Sequence, residues 1–114
     1  MARPSKTLPT ASLHIVLALL DGELHGYALM RQVDDQSDGA VRMGPGTLYG
    51  TLNRLVADGL IVETTDRAER ADGERRRYYE LTANGRAVAL EELARLQTLV
   101  ERVTARRRPG GATA

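Results

Sequence analysis

At 114 residues, 42% of them apolar, the chain is long enough for one domain around one hydrophobic core. It has no Cys, which excludes disulfides, thiolate chemistry and Cys-based zinc and is expected of a cytoplasmic protein that folds without cross-links. Its formal net charge of +1 excludes an argument for nucleic acid from overall charge, so any such argument must rest on where the charges lie.

They lie unevenly. From Gly39 to Ala57 there is no Asp or Glu, although Arg42 and Arg54 are present. With no Trp or Phe and four Tyr, the core must be built from Leu, Val, Ile and Ala, which favours helices over sheets. No apolar run approaches the roughly 20 residues of a membrane span. No small-residue cleavage site follows the first apolar stretch, so it does not read as a signal peptide.

Residues 1–6 read as a flexible arm and 109–114 as a flexible Gly-rich tail. A first helix is expected to be capped by Thr7 or Thr10 and started by Pro9, and its run of Leu13, Ile15, Val16, Leu17, Leu19 and Leu20 requires burial on most sides. Asp21, Gly22 and Gly26 interrupt it. A second, amphipathic helix is expected over residues 26–36, with Tyr27, Met30 and Val33 repeating every three residues. Residues 37–44 read as a loop with Val41 as a brief strand.

Pro45 suits the first turn of a third helix over residues 45–58, closed by Gly59. Leu48, Leu52, Leu55 and Val56 form its apolar stripe. Residues 60–65 and 77–81 read as the strands of a hairpin with a long charged tip. Thr82 can cap a last helix running to about residue 107, whose Ala89, Leu93, Leu96, Val100 and Val103 form a heptad seam. The expected class is thus mainly α with a small β-hairpin. A winged helix-turn-helix over residues 7–82 is followed by a dimerisation helix over 83–108.

In that order of elements the third helix enters the DNA major groove. Its face opposite the leucines carries Thr47, Gly50, Thr51, Arg54 and Ala57, flanked by Tyr49 and Asn53, with no carboxylate before Asp58. Small, hydroxyl and amide residues at a helix N-terminus permit close approach to bases and phosphates. Arg54 could contact guanine and Asn53 adenine, or either could meet only phosphate. Arg67, Arg70, Arg75, Arg76 and Arg77 in and beside the hairpin tip suit phosphate contact or minor-groove insertion. Arg42 joins the DNA-binding candidates.

About two and a half heptads of apolar seam are too few to stand alone. A second copy of the chain is the default partner, and the alternative is that the last helix folds back on the first within one chain. Leu13, Val16, Leu17 and Leu20 share the face of the first helix expected to meet the seam.

The segments HGYALMRQV, GPGTLYGTLNRLVADGLI and RRRYYELTANGR resemble the PadR family of transcriptional regulators over most of the chain. The resemblance implies a winged helix-turn-helix body, a homodimer in which the last helix meets the partner's first, and repression relieved by a small molecule. It places Tyr49 close to DNA with Thr47 and Arg54 near it. It makes Tyr27 and Tyr78 packing residues and gives Gly26 a structural role. The single last helix is similar to the compact subgroup, on which the chain is expected to be complete. Some relatives stack flat aromatic drugs on a Trp of the last helix; this chain has no Trp. His14, Leu93, Leu96, Gln97 and Val100 are candidates to line an effector pocket, although a structural role is favoured for His14, because a single hydrogen bond satisfies it.

An enzyme would need a convergent acid, base or nucleophile, and His14, His25, Asp34 and Asp35 show no such spacing. The adjacent pairs Asp34/Asp35 and Glu91/Glu92 point about 100° apart on a helix and read as solvated faces. No enzyme activity, cofactor or metal site is expected. A winged-helix module used only for protein assembly is the remaining alternative, discriminated by the salt dependence of DNA binding.

Overall fold

The computed structural model describes residues 7–65 and 77–108. Along the chain run α1 (Thr10–Ala18), a single 3-10 turn (Leu19–Asp21), β1 (Leu24–His25), α2 (Gly26–Gln36), α3 (Pro45–Ala57), β2 (Ile61–Thr65), β3 (Arg77–Leu81) and α4 (Ala83–Arg106). The sheet is antiparallel in the order β1-β3-β2, with Leu24 opposite Tyr79 and Glu63 opposite Tyr79 on the other side. Among the described residues no helix is long and apolar enough to cross a membrane.

The core is aliphatic, as the composition demands. Ile15, Val16 and Leu19 from the first segment meet Leu29 and Val33 of α2, Leu48, Leu52 and Leu55 of α3, Ile61 of β2, Tyr79 of β3 and Ala89 of α4. Burial, and next the Glu63 carboxylate, push the Tyr79 phenol above its ordinary range, while Arg77, bridged to Glu63 at 3.4 Å, pulls the other way.

Local chemistry explains most boundaries. Gly22 at φ +140° and Gly59 at φ +78° occupy backbone conformations that favour glycine, so the chain turns there after α1 and after α3. Thr82 caps α4 by accepting from the Gly85 N–H at 2.9 Å, and its hydroxyl lies within 2.7 Å of the Gly59 carbonyl. A side chain at Gly85 would collide with the Leu60 carbonyl, so glycine lets α4 start flush against the end of α3.

Several expectations are corrected. Neither Thr7 nor Thr10 caps α1: Pro9 holds the capping position, its carbonyl accepting from Leu13 N–H at 2.8 Å, and Thr10 already lies inside the helix. Val41 forms no strand, because its N–H donates to Ser37 Oγ at 2.9 Å and its carbonyl accepts from the same hydroxyl at 3.3 Å. The third strand is instead the two-residue β1.

The buried face of α2 is Gly26, Leu29 and Val33, and Tyr27 is 62% exposed. At 100° per residue Tyr27 stands about 120° round the helix from Val33, too far to share its stripe. Val56 lies at the edge of the α3 stripe and is 40% exposed. Glu92 is buried and pairs with Arg95 at 3.0 Å rather than facing solvent.

The seam on α4 divides. Ala89 is fully buried within the chain, as is Val16 on α1, so neither has surface left to offer a partner. Leu17 and Leu20 are half-buried and packed against the core, and Leu13, Leu96 and Val103 are also half-buried. Leu93 and Val100 are exposed, with Leu90 and Leu99 beside them. At a rise of 1.5 Å per residue α4 is about 36 Å long. Residues 97–102 and 104–108 are exposed, so the outer half of α4 runs past the body.

Candidate nucleic-acid interface

The leucine rail of α3 is seated in the core, which turns the rest of the helix outward. Thr47, Gly50, Asn53, Arg54 and Ala57 are exposed. Thr51 is half-buried, and its hydroxyl donates to the Thr47 carbonyl at 2.8 Å, which commits it to its own helix. The helix begins at Gly44 with no side-chain cap and Pro45 in its first turn, and no acidic residue occupies that turn. Its first backbone N–H groups therefore meet no competing carboxylate from their own helix.

The glycines of α2 and α3 divide into two kinds. A side chain at Gly46 or Gly50 would meet no atom of the chain within 4 Å, and neither has a positive φ. Glycine in a helix interior is destabilising by about 1 kcal/mol relative to alanine. Nothing within the described chain offsets that cost at Gly50, where an added Cβ would point into open space.

Gly26 is the opposite case. Its Cα faces the phenol of Tyr49, whose Cζ would stand 2.9 Å from an added Cβ and whose Oη would stand closer still. Tyr49, 38% exposed, therefore lies across the start of α2 as well as beside the outward face of α3. The structural role expected of Gly26 has this physical basis.

Around α3 stand further cations. Arg42, in the loop before the helix, is exposed and pairs with Asp34 of α2 at 3.3 Å. Arg31 lies 5.9 Å from the centroid of the Tyr27 ring, so α2 presents an exposed Tyr-Arg pair one residue beyond Gly26. The family resemblance implies packing for Tyr27 and does not bring out this pair; the signal that could have found it is the i, i+4 spacing of Tyr27 and Arg31 on a short amphipathic helix. At the other end of the same helix start, His25 Nδ1 accepts from Ala28 N–H at 3.3 Å and its ring meets Tyr78 edge-on at 5.5 Å. Tyr78 thus packs as expected. Arg67, Arg70, Arg75 and Arg76 lie outside the described residues.

The candidate effector residues do not gather around one described depression. His14 is tied to α2, where Gln36 Nε2 lies 3.1 Å from His14 Nδ1 and donates to the His14 carbonyl at 2.9 Å. Gln97 donates to Glu101 at 3.2 Å along α4. A surface depression near the end of α4 is lined by Val103, Thr104, Arg107 and Arg108, and others lie on α2.

A three-helix body, a small sheet with β2 and β3 as the wing, and a helix whose outward face is open and free of carboxylates define a winged-helix protein. The comparisons with known proteins identify its kind. Residues 16–92 match the Transcriptional regulator PadR-like family, and the chain belongs to that family. It is 45% identical over 89 residues to the transcriptional regulator Rv3488 of Mycobacterium tuberculosis, an alignment covering 73% of this chain and 78% of that protein. A crystal structure of a PadR family transcription regulator from Clostridium difficile superposes with a TM-score of 0.69 at 25% identity, covering 84% of this chain and 95% of that one. The fold is also shared with Bacillus subtilis PadR, solved in complex with operator DNA, at a TM-score of 0.64 and 21% identity, covering 75% of this chain and 47% of that one. The chain is thus a transcriptional regulator of a family whose members act by regulation rather than by catalysis.

Proposed function

We propose that this regulator binds a palindromic DNA operator as a homodimer and represses transcription until a small molecule releases it. The observation that carries the DNA part is the outward face of α3, where Gly50 stands open at a cost that nothing in the described chain offsets. Thr47, Asn53 and Arg54 share that exposed face. Arg54 and Asn53 supply donors for base edges, while Thr47 and the start of α3 suit phosphate. Bacillus subtilis PadR, which shares the fold, was solved in complex with operator DNA, which supports DNA as the partner.

The dimer part rests on α4. Leu90, Leu93, Leu99 and Val100 are 44–62% exposed, on a helix that outruns its own body. Covering them with the half-buried Leu13, Leu17 and Leu20 of a second copy would bury apolar surface on both chains and place two recognition helices on one side of the assembly. A small molecule seated between α4 and α1 would bear on α2 through the Gln36 to His14 clasp. Recovery of bound fragments from genomic DNA, followed by a search for metabolites that release them, tests the whole reading. An inverted repeat in the recovered fragments and release by one metabolite class are expected; fragments with no common sequence would refute it.

A further inference from the structure

We propose that Tyr49 acts as a positioning residue, the hydroxyl end of its phenol seated against the bare Cα of Gly26 so that the pair sets how α3 is rolled toward DNA. This rests on the DNA reading above and adds to it which residues aim the helix.

Gly26 is the first residue of α2 and does not have a positive φ, so its backbone does not require glycine. What requires glycine is the neighbour: an added Cβ would fall against Tyr49 Oη, 2.9 Å from Cζ and 3.5 Å from Cε1. The terminal atoms of an aromatic ring swing only by moving the ring or the helix that bears it. Gly46 and Gly50, by contrast, have nothing within 4 Å. Gly26 and Tyr49 are complementary shapes on two different helices.

The geometry of α3 gives that seat its purpose. Leu48, Leu52 and Leu55, the buried residues of α3, form one narrow rail along it. These three side chains lie within about 60° of one another around the helix, so they anchor α3 along a single line. Tyr49 projects about 100° away from Leu48 and touches α2, which makes it an off-axis brace. With side chains ending about 5 Å from the axis, a roll of about 20° moves the tip of Arg54 by about 2 Å. Hydrogen-bond lengths vary by only about half an ångström, so such a roll breaks a base contact while leaving the helix folded. Tyr49 is 38% exposed, so part of its ring stays at the surface beside the outward face of α3.

The test starts with a duplex selected by the wild-type protein from a random-sequence pool, measured beside an unselected duplex. Gly26→Ala, Tyr49→Ala, Tyr49→Phe and the double variant Gly26→Ala/Tyr49→Ala are compared, with thermal melts to show that each is folded. Gly26→Ala and Tyr49→Ala are expected to lose about tenfold on the selected duplex and to bind the unselected one as before. Tyr49→Phe removes the atom nearest Gly26 but keeps Cζ and Cε1, so it is expected to fall between wild type and Tyr49→Ala on the selected duplex and to bind the unselected one as before. The double variant is expected to be no weaker than Tyr49→Ala, since the new methyl then meets no ring. A loss in Tyr49→Phe on the unselected duplex as well as the selected one would make the hydroxyl a direct DNA contact and overturn the proposal, as would a double variant showing the sum of both single losses. Failure of the wild type to enrich any sequence overturns the DNA reading itself; an enriched site bound equally by every variant overturns the seat alone.

Discussion

Replacing Gly50 by alanine separates a protein-internal role of the α3 face from a role in docking, because the two readings demand opposite signs. The added Cβ meets no atom within 4 Å and the backbone φ is not positive, so the methyl fits without strain. Alanine is favoured over glycine by about 1 kcal/mol in a helix interior. With an unfolding entropy of about 0.2 kcal/mol per kelvin for a chain of this size, the melting temperature should rise by about 4 °C. The same methyl would stand between α3 and the floor of the groove. Specific affinity should then fall by about tenfold, comparable to the loss of one base contact. The assay is a thermal melt at fixed protein concentration, since a dimer's melting temperature depends on it, together with fluorescence anisotropy on a selected duplex. A stabilised protein that binds DNA undiminished would refute the docking of this face, and a destabilised one would show that glycine serves the fold.

Arg54→Ala should weaken specific binding by about 1 to 3 kcal/mol and leave the dimer intact, read by anisotropy and sedimentation. Leu96→Asp with Val100→Asp should yield a monomer in sedimentation while the winged-helix body keeps its far-ultraviolet dichroism, because Val100 is already 62% exposed within one chain. A persistent dimer would place the interface elsewhere. Tyr79 favours its neutral form when folded, so its share of the stability is complete below pH 10.0 and is lost as pH rises through its higher folded pKa. Tyr79→Phe should therefore flatten the alkaline decline in stability seen by chemical denaturation, and an unchanged decline would mean that another group governs it.

The elements marked by local chemistry were legible before the structure. Pro45 and Gly59 bracket α3, Thr82 caps α4, and the strands at residues 61–65 and 77–81 follow from β-branched and tyrosine-rich runs bounded by polar sequence. What escaped was set by tertiary contact. A two-residue strand such as β1 has no periodicity to read and exists because β3 offers it a partner at Leu24 and His25. The heptad seam was visible, but periodicity gives only an angle on a helix. Where α4 crosses α1 decides that Ala89 and Glu92 are buried in the chain's own body while Val100 is not. The outward face of α3 was readable as an acid-free helix opposite a leucine rail. Its brace was not, because Gly26 and Tyr49 lie on different helices and only the fold shows that one is shaped to receive the other.

The central claim is that the open face of α3, doubled by a two-fold dimer, docks on DNA. The most direct measurement is the affinity for a selected inverted-repeat duplex as salt is raised from about 50 to 200 mM, with the stoichiometry followed in parallel. Two chains per duplex and a fall in affinity of about a thousandfold are predicted, as expected for about six phosphate contacts released across the dimer. Binding that is absent at the lowest salt, or that is indifferent to salt, would contradict the account.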